Sequence, residues 1–311
     1  MKPPLLIVNP ACGARGSAHD LPRVLTAVEK TLGDVIIRYT ARRGHACELA
    51  LEGARQGYPL IVAVGGDGTF SEVANGVLTA GDDGPAVGLI NMGTGGDFCR
   101  SLGIESGFEH CLEALALGRE RPVDVGRAVF RDFSGRRVER YFVNVLSVGV
   151  GGLVDKYVDQ MPAFIGGKAG YYLASLRAVA ASKERPLQAR ITWEKEVRDQ
   201  IIPAYIVAIC NGRWFGGGMD VAPMALPDDG RLEVVTITEH TKRALARKVS
   251  LVYTGRHLDE PTVHHFPCHR IELGLGDAEA ERHLLLDVDG DALGSLPLEV
   301  DLVPHRLRVR A

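Results

Sequence analysis

The feature that most narrows the fold is the apolar run Leu60–Val64, which ends at Gly65-Gly66-Asp67-Gly68-Thr69 before a helical pattern begins over Phe70–Thr79. An apolar run without polar alternation suits a strand covered on both faces. Similar units flank it. Leu5–Val8 ends at Asn9-Pro10 and precedes a helical pattern over Leu21–Leu32. Val35–Tyr39 reads as strand, His45–Gln56 as helix, and Val87–Ile90 as a strand running into a second glycine-rich turn, Gly93–Gly96. Repeated βα units predict a mostly parallel sheet covered by helices.

After about Val125 the texture changes. Val123–Phe130, Arg137–Val148, Leu187–Trp193, Ile201–Ile209, Leu232–Thr238, Ile271–Leu273, Leu284–Val288 and Leu298–Val303 are β-rich runs separated by turn residues. Only Lys168–Ser182 and Lys242–Tyr253 read as helices, so this half is expected to be an antiparallel sandwich. A length of 311 residues suits two such domains, and 46% hydrophobic against 24% charged residues excludes a disordered chain. A net charge of -3 argues against nucleic acid as the main partner. The longest uncharged apolar stretch, Tyr141–Val154, is shorter than the roughly 20 residues of a spanning helix, so no transmembrane segment is expected. Six scattered cysteines without a CxxC pair suggest reduced thiols in the cytoplasm, and nothing after Met1 reads as a signal peptide.

Glycines between a buried strand and a helix let main-chain N–H groups approach an anion, and the helix N-terminus adds partial positive charge. Gly65–Thr69 is therefore a phosphate cradle in outline. Asp67 within it suggests a Mg²⁺-nucleotide rather than bare phosphate, the plainer reading being a tight turn whose Asp satisfies backbone donors. Gly93-Thr94-Gly95-Gly96-Asp97 repeats the pattern one unit later, and Asn9-Pro10-Ala11-Cys12-Gly13 ends the first strand. In a parallel sheet all three loops open on one edge. No GxxxxGK[ST] is present and no GxGxxG follows the first strand.

These three blocks resemble the diacylglycerol kinase catalytic-domain family, in the superfamily that includes sphingosine, ceramide and NAD kinases. The resemblance continues through Arg121-Pro122-Val123-Asp124-Val125-Gly126, Asn144…Gly149-Val150-Gly151, Asn211…Gly216-Gly217-Gly218, Pro223…Leu226-Pro227-Asp228-Asp229-Gly230 and Asp289-Gly290-Asp291. NAD kinases share the first glycine block but not the second. The resemblance implies an NAD kinase-like α/β nucleotide-binding domain over residues 1–125, joined by the chain end at about 304–311, and a β-sandwich lipid-substrate domain over 126–303. It also implies ATP- and Mg²⁺-dependent phosphorylation of a lipid hydroxyl, with diacylglycerol as the default acceptor. Sphingoid bases, ceramide or phosphatidylglycerol remain alternative acceptors, and an inactive nucleotide- or lipid-binding member remains an alternative class.

By motif, the nucleotide would be held by Asn9, Pro10, Ala11, Cys12, Gly13, Thr40, Gly65, Gly66, Asp67, Gly68, Thr69, Phe70, Ser71 and Thr94. Leu226 and Arg231 would contribute backbone carbonyls, and Asp229 a carboxylate, to a structural Mg²⁺. Asp67, Asp97 and Asp124 would surround a catalytic Mg²⁺, directly or through water, and Asp291 would accept the substrate proton, with Asp289 as its substitute. Two positions depart from the family pattern: Gly96 stands where Asn is usual, and Asp291 where Glu is usual. The expected protein works at the inner membrane face as a peripheral kinase on a bilayer lipid, and exposed sandwich edges could pair it into a homodimer. Met161, Phe164, Tyr171, Tyr172, Trp214, Phe215 and Met219 are candidates for an acyl groove, though sandwich core is the stronger reading for most. Lys183, Arg185, Arg306, Arg308 and Arg310 are candidates for headgroup contact against a default of solvated charges. His264, His265, Cys268 and His269 crowd one segment, but adjacent residues in a strand point apart, which disfavours zinc.

Overall fold

The computed structural model describes residues 2–12, 17–105, 107–159, 167–182, 184–239, 241–275, 281 and 284–311, with backbone alone at 17–19, 155–156, 158–159, 167–169, 171–172 and 204. Gly13, Met161, Phe164 and Lys183 lie outside the described residues, as do the side chains of Tyr171 and Tyr172. The chain divides into two compact units, Met1–Val125 with Pro304–Ala311, and Gly126–Val303.

The first unit alternates strand and helix in the order β1 (Leu5–Val8), α1 (Ser17–Leu32), β2 (Ile36–Tyr39), α2 (His45–Arg55), β3 (Leu60–Gly65), α3 (Asp67–Ala80), β4 (Ala86–Asn91), α4 (Asp97–Ser101) and α5 (Phe108–Leu117). The strands are parallel in the order β2-β1-β3-β4, and the chain end returns alongside β4, Val309 pairing with Val87. Every residue of β1 and β3 is buried, as their unbroken apolar sequences require. Each such aliphatic side chain contributes about 1.5–3 kcal/mol relative to exposure. Helix α3 begins three residues earlier than its apolar pattern does, so Asp67, Gly68 and Thr69 form its first turn rather than a loop. Helix α5, Phe108–Leu117, is not signalled by the reading above. The returning segment is tied down by arginines: Arg306 donates to the Gly81 carbonyl at 3.0 Å, Arg308 to that of Gly84 at 2.7 Å and Arg310 to that of Leu115 at 3.1 Å. They hold main chain, which leaves little basis for treating them as headgroup ligands.

The second unit contains β5 (Glu120–Asp132, from Gly126 on), β6 (Arg137–Phe142), β7 (Val145–Gly149), α6 (Val150–Asp159), α7 (Gly167–Ala181), β8 (Arg185–Trp193), β9 (Glu196–Ala204), β10 (Ile206–Cys210), β11 (Trp214–Phe215), β12 (Met219–Asp220), β13 (Leu232–Ile237), α8 (Lys242–Val252), β14 (Val263–Cys268), β15 (Arg270–Gly274), β16 (Leu285–Val288) and β17 (Asp291–Arg310, up to Val303). One antiparallel path runs β14-β13-β10-β7-β16-β17, and β15, β8 and β9 continue from β17. Alternation along the central strands sorts their side chains into two cores. Leu146, Val148, Val207, Ile209, Leu232 and Val234 face the sandwich interior with Phe130, Phe142, Ile271 and Leu298. Val145, Ala208, Cys210, Val235 and Ile237 face the other way, onto Val150 and Val154 of α6, Ala174 and Ala178 of α7, and Leu245 of α8. The sandwich therefore carries a helical layer. The sequence reading recovers α7 and α8 but not α6, which starts in the glycine-rich segment Gly149–Gly152.

Candidate functional site

In the first unit, the ends of β1, β3 and β4 bring the glycine-rich loops together. Asn9, just beyond β1, donates its main-chain N–H to the Val64 carbonyl at 2.9 Å and its side-chain amide to Thr69 Oγ1 at 3.2 Å. Its Oδ1 accepts from the Ala11 N–H at 3.0 Å, which shapes the Pro10-Ala11-Cys12 turn. Thr40 follows β2 and donates to the Val8 carbonyl at 2.9 Å. The two glycine blocks touch through their backbones: a Cβ at Gly93 would lie 2.6 Å from Gly66 Cα, which no side chain could occupy without displacing the loop. Gly68 has open space where a Cβ would be, and no side chain caps α3. The first-turn N–H groups of a helix have no intrahelical partner, so this end is suited to an anion. Thr94 is exposed on the second block.

Asp67 holds the two blocks in register. Its carboxylate accepts the main-chain N–H groups of Gly96, Asp97 and Phe98 at 2.8, 3.2 and 3.0 Å. These are the N-terminal donors of α4, a favourable place for a negative charge. The plainer of the two roles considered for Asp67, satisfying backbone donors, is thus present across loops 29–31 residues apart. Gly96 explains its own departure from the family pattern. It adopts φ 71°, ψ 29°, a left-handed conformation that glycine and asparagine enter most readily. Exchange of Asn for Gly removes an amide while preserving the backbone turn.

The other acidic candidates also have protein partners. Asp97 Oδ1 pairs with Arg100 at 2.7 Å, and Asp97 is buried. Asp124, fully buried, accepts the His305 N–H at 2.7 Å and thereby fastens the returning chain end. Phe70 and Ser71 are buried in α3, and the Phe70 ring stacks on Phe98 with centroids 4.4 Å apart, a contact that ties α3 to α4. Two residues absent from the sequence reading complete the scaffold: buried Asn91 accepts the Gly93 N–H at 3.0 Å, and Glu72 accepts the Gly44 and Ala46 N–H groups at 2.7 and 3.0 Å, capping α2.

In the second unit, Asp289 and Gly290 form the two-residue turn between β16 and β17, with φ 52° and 89°. Asp-Gly is the sequence such a turn favours. The Asp289 carboxylate accepts three successive N–H groups, from Val143, Asn144 and Val145, at 2.9, 3.0 and 3.1 Å. Asp287, also missed from sequence, accepts the Gly290 N–H at 2.7 Å. Asp291 opens β17 opposite Val288 and is partly exposed.

These surroundings test the groups the family implies. The loop amides, the close glycine contact and the uncapped α3 fit a phosphate chain. They do not fit a cage in which Asp67, Asp97 and Asp124 all serve as direct ligands, because these carboxylates already bind three amides, a guanidinium and an amide. Among the described residues no group of three His, Cys, Asp or Glu side chains forms a metal cluster. At the expected structural-metal loop, Asp229 Oδ2 accepts from Arg231 Nε at 2.9 Å, and the same nitrogen lies 3.2 Å from buried Glu233. Leu226 is exposed. His264 and His265 are exposed on β14, Cys268 is in the sandwich core, and the His269 ring packs at a tilt against Trp193.

The second unit also holds a partly open cavity of about 70 Å³ between β10 and β13 and the helical layer. Val150, Val154, Val179, Ala208, Phe215, Met219, Val235 and Ile237 line it, with Ser175 and Lys248 as polar members. Lys248, 2% exposed, is neutralised by Glu260 at 2.9 Å and Glu239 at 3.3 Å. Phe215 and Met219 belong to the core and line this cavity, whereas Trp214 lies under Arg213.

Residues 3–128 match the model of the diacylglycerol kinase catalytic domain, and residues 144–311 that of the YegS C-terminal NAD kinase beta sandwich-like domain. A diacylglycerol kinase of Bacillus subtilis is 27% identical over 312 residues, 98% of this chain and 95% of that protein. A YegS-like lipid kinase of Chromohalobacter salexigens is 30% identical over 234 residues, 73% of this chain and 70% of its own. A solved structure from Bacillus anthracis, provisionally named a diacylglycerol kinase, superposes with a TM-score of 0.75 at 25% identity, covering 99% of this chain and 94% of that one.

Proposed function

We propose, for a chain that belongs to the diacylglycerol kinase family and is a lipid kinase, that it transfers the γ-phosphoryl group of Mg²⁺-ATP to the hydroxyl of diacylglycerol at a bilayer surface on the inner membrane face. One observation carries the nucleotide half of this reading: the uncapped N-terminus of α3, held against the second glycine block by Asp67. Phosphoryl transfer asks a protein chiefly for positioning and charge neutralisation, and preset amides provide both without reorganising. Asn9, Gly66, Gly68, Thr69 and Thr94 would bind the phosphates, while Asp67, Asn91 and Phe70 keep those groups in place. The divalent ion would travel with the phosphates, where it withdraws charge from the reacting group. Asp291 would accept the hydroxyl proton, a role open to a partly exposed carboxylate.

The apolar cavity supports a chain-bearing acceptor, having room for a few methylene groups. Among the described residues no helix is long and apolar enough to cross a membrane. The test is transfer of labelled phosphate from ATP, with Mg²⁺, to vesicles of mixed lipids. Labelled phosphatidic acid is the expected product. A different labelled lipid would reassign the acceptor, and Mg²⁺-ATP binding without any product would make the protein a binding module. A second expectation concerns the cavity. Ala208→Leu should raise KM for long-chain diacylglycerol by about tenfold, consistent with 1–3 kcal/mol for crowding a packed apolar site, and leave nucleotide affinity unchanged. An unaltered lipid KM in a stably folded variant would remove the cavity from the substrate site.

A further inference from the structure

We propose that Cys99 and Cys111 are an oxidisable dithiol, a modification site through which a hydroperoxide locks the helix that Asp67 grips. Their Sγ atoms lie 3.7 Å apart, and both residues are buried. Cys99 belongs to α4, the five-residue helix whose first amides bind Asp67, and Cys111 to α5. Left-handed glycines flank α4, Gly96 at φ 71° and Gly103 at φ 77°. Glycines absorb such rotations with little steric cost, so the segment between them can swing as a unit. A rotation there would open a path for a small oxidant and bring the sulfurs from 3.7 Å to the bonded separation of about 2.05 Å.

The two sulfurs are not equivalent. The hydrogen bond shared with Cys99, in which either sulfur can donate, and one from the Asn91 main chain hold the Cys111 thiol below the ordinary value. The hydrogen bond to Cys111, with burial, pushes Cys99 up. The buried sandwich thiols differ again, burial pushing Cys268 up to about 12. Exchanging the roles of the two sulfurs gives the same disulfide. With Cys111 as the nucleophile, its thiolate attacks one peroxide oxygen and the O–O bond breaks; the departing hydroxide takes a proton and leaves as water. Cys99 sulfur then attacks the Cys111 sulfenic acid. The S–S bond forms, the S–O bond breaks, and the Cys99 proton leaves with the hydroxyl as a second water. Two thiols lose two electrons and one peroxide gains them.

Because Asn91, Gly96, Asp97 and Phe98 all adjoin this pair, the disulfide should move the amides that Asp67 holds. That consequence rests on the kinase reading; the disulfide itself does not. The experiment treats the full-length protein with hydrogen peroxide, alkylates remaining thiols under denaturing conditions and maps peptides by mass. A 99–111 cross-link, reversed by dithiothreitol and absent in Cys99→Ala and Cys111→Ala, is expected. Wild-type turnover should fall by at least about fivefold, the lower end of regulatory coupling, and return on reduction, while both variants keep their turnover under peroxide. Alkylation of both sulfurs after oxidation, or a cross-link to another cysteine, would overturn the site. A cross-link that changes neither turnover nor ATP affinity would overturn its regulatory role. If no lipid is phosphorylated at all, the kinase reading fails separately, and the peptide map still decides the dithiol.

Discussion

Asp67→Ala is expected to abolish lipid phosphorylation and also to destabilise the first unit. Three main-chain N–H groups lose their acceptor together, and hydrogen bonds to a charged group are each worth about 1.5–3 kcal/mol. Partial rehydration of these part-buried amides offsets some of this, leaving a loss of about 3 kcal/mol, or roughly 10 °C in Tm. With the clamp gone, Gly66 and Gly93 no longer meet at a fixed separation, and the phosphate-binding amides lose their alignment. Removing preorganised donors costs turnover of about 10²–10³ for one group alone, so the loss should reach the assay floor. Asp67→Asn keeps one acceptor oxygen but turns an NH₂ toward a donor, and should fall between wild type and alanine in both readouts. Thermal melts and turnover on the same samples decide the matter. A dead Asp67→Ala protein with an unchanged Tm would indicate contact with the reacting groups instead of a clamp; full turnover would remove the cradle from the mechanism. Extra Mg²⁺ should not rescue the alanine variant, because loop geometry rather than ion occupancy is what it lacks.

The dual effect also marks where sequence reading stopped. Leu60–Val64 is legible because a doubly covered strand needs an unbroken apolar run, and the glycines after it are legible because a close backbone approach excludes side chains. The partners of Asp67 are not legible, since they arrive from 29–31 residues away only after β3 and β4 pair. Carboxylates in a glycine loop read equally as metal ligands and as caps until the donors are seen. Asp124 presents the same ambiguity, its donor lying 181 residues on at His305. Helix α6 was hidden for another reason: Gly149–Gly152 carries a turn signal, yet its small residues let the helix pack closely on β7 and β16. A Cβ at Gly152 would lie 2.6 Å from Leu285 Cβ. Phe70 and Ser71 enter the nucleotide set by motif carry-over, which does not say which way a side chain faces; with α3 beginning at Asp67, its fourth and fifth residues are buried.

The turn between β16 and β17 places a carboxylate bound to main chain two residues before a partly exposed one. Asp289 spends its carboxylate on Val143, Asn144 and Val145, and its N–H donates to the Val145 carbonyl at 2.9 Å. Asp291, two residues later, is partly exposed at the head of β17. Asp291→Asn is therefore expected to lower kcat by about 10²–10⁴, the range for loss of a general base, with ATP affinity and Tm unchanged. Asp291→Glu restores the length usual in the family and should keep measurable turnover, because a carboxylate of adjustable reach can still meet the hydroxyl. Asp289→Ala should behave oppositely: three stranded amides lower Tm by several degrees, and turnover falls only as the turn loosens. Melting curves, ATP affinity and kcat for the three variants separate the roles. Full turnover in Asp291→Asn, beside an Asp289→Asn protein that melts normally and is inactive, would transfer the proton-accepting role to Asp289. Such a result would require the carboxylate to leave three amides during each cycle, a cost that the geometry of the turn weighs against.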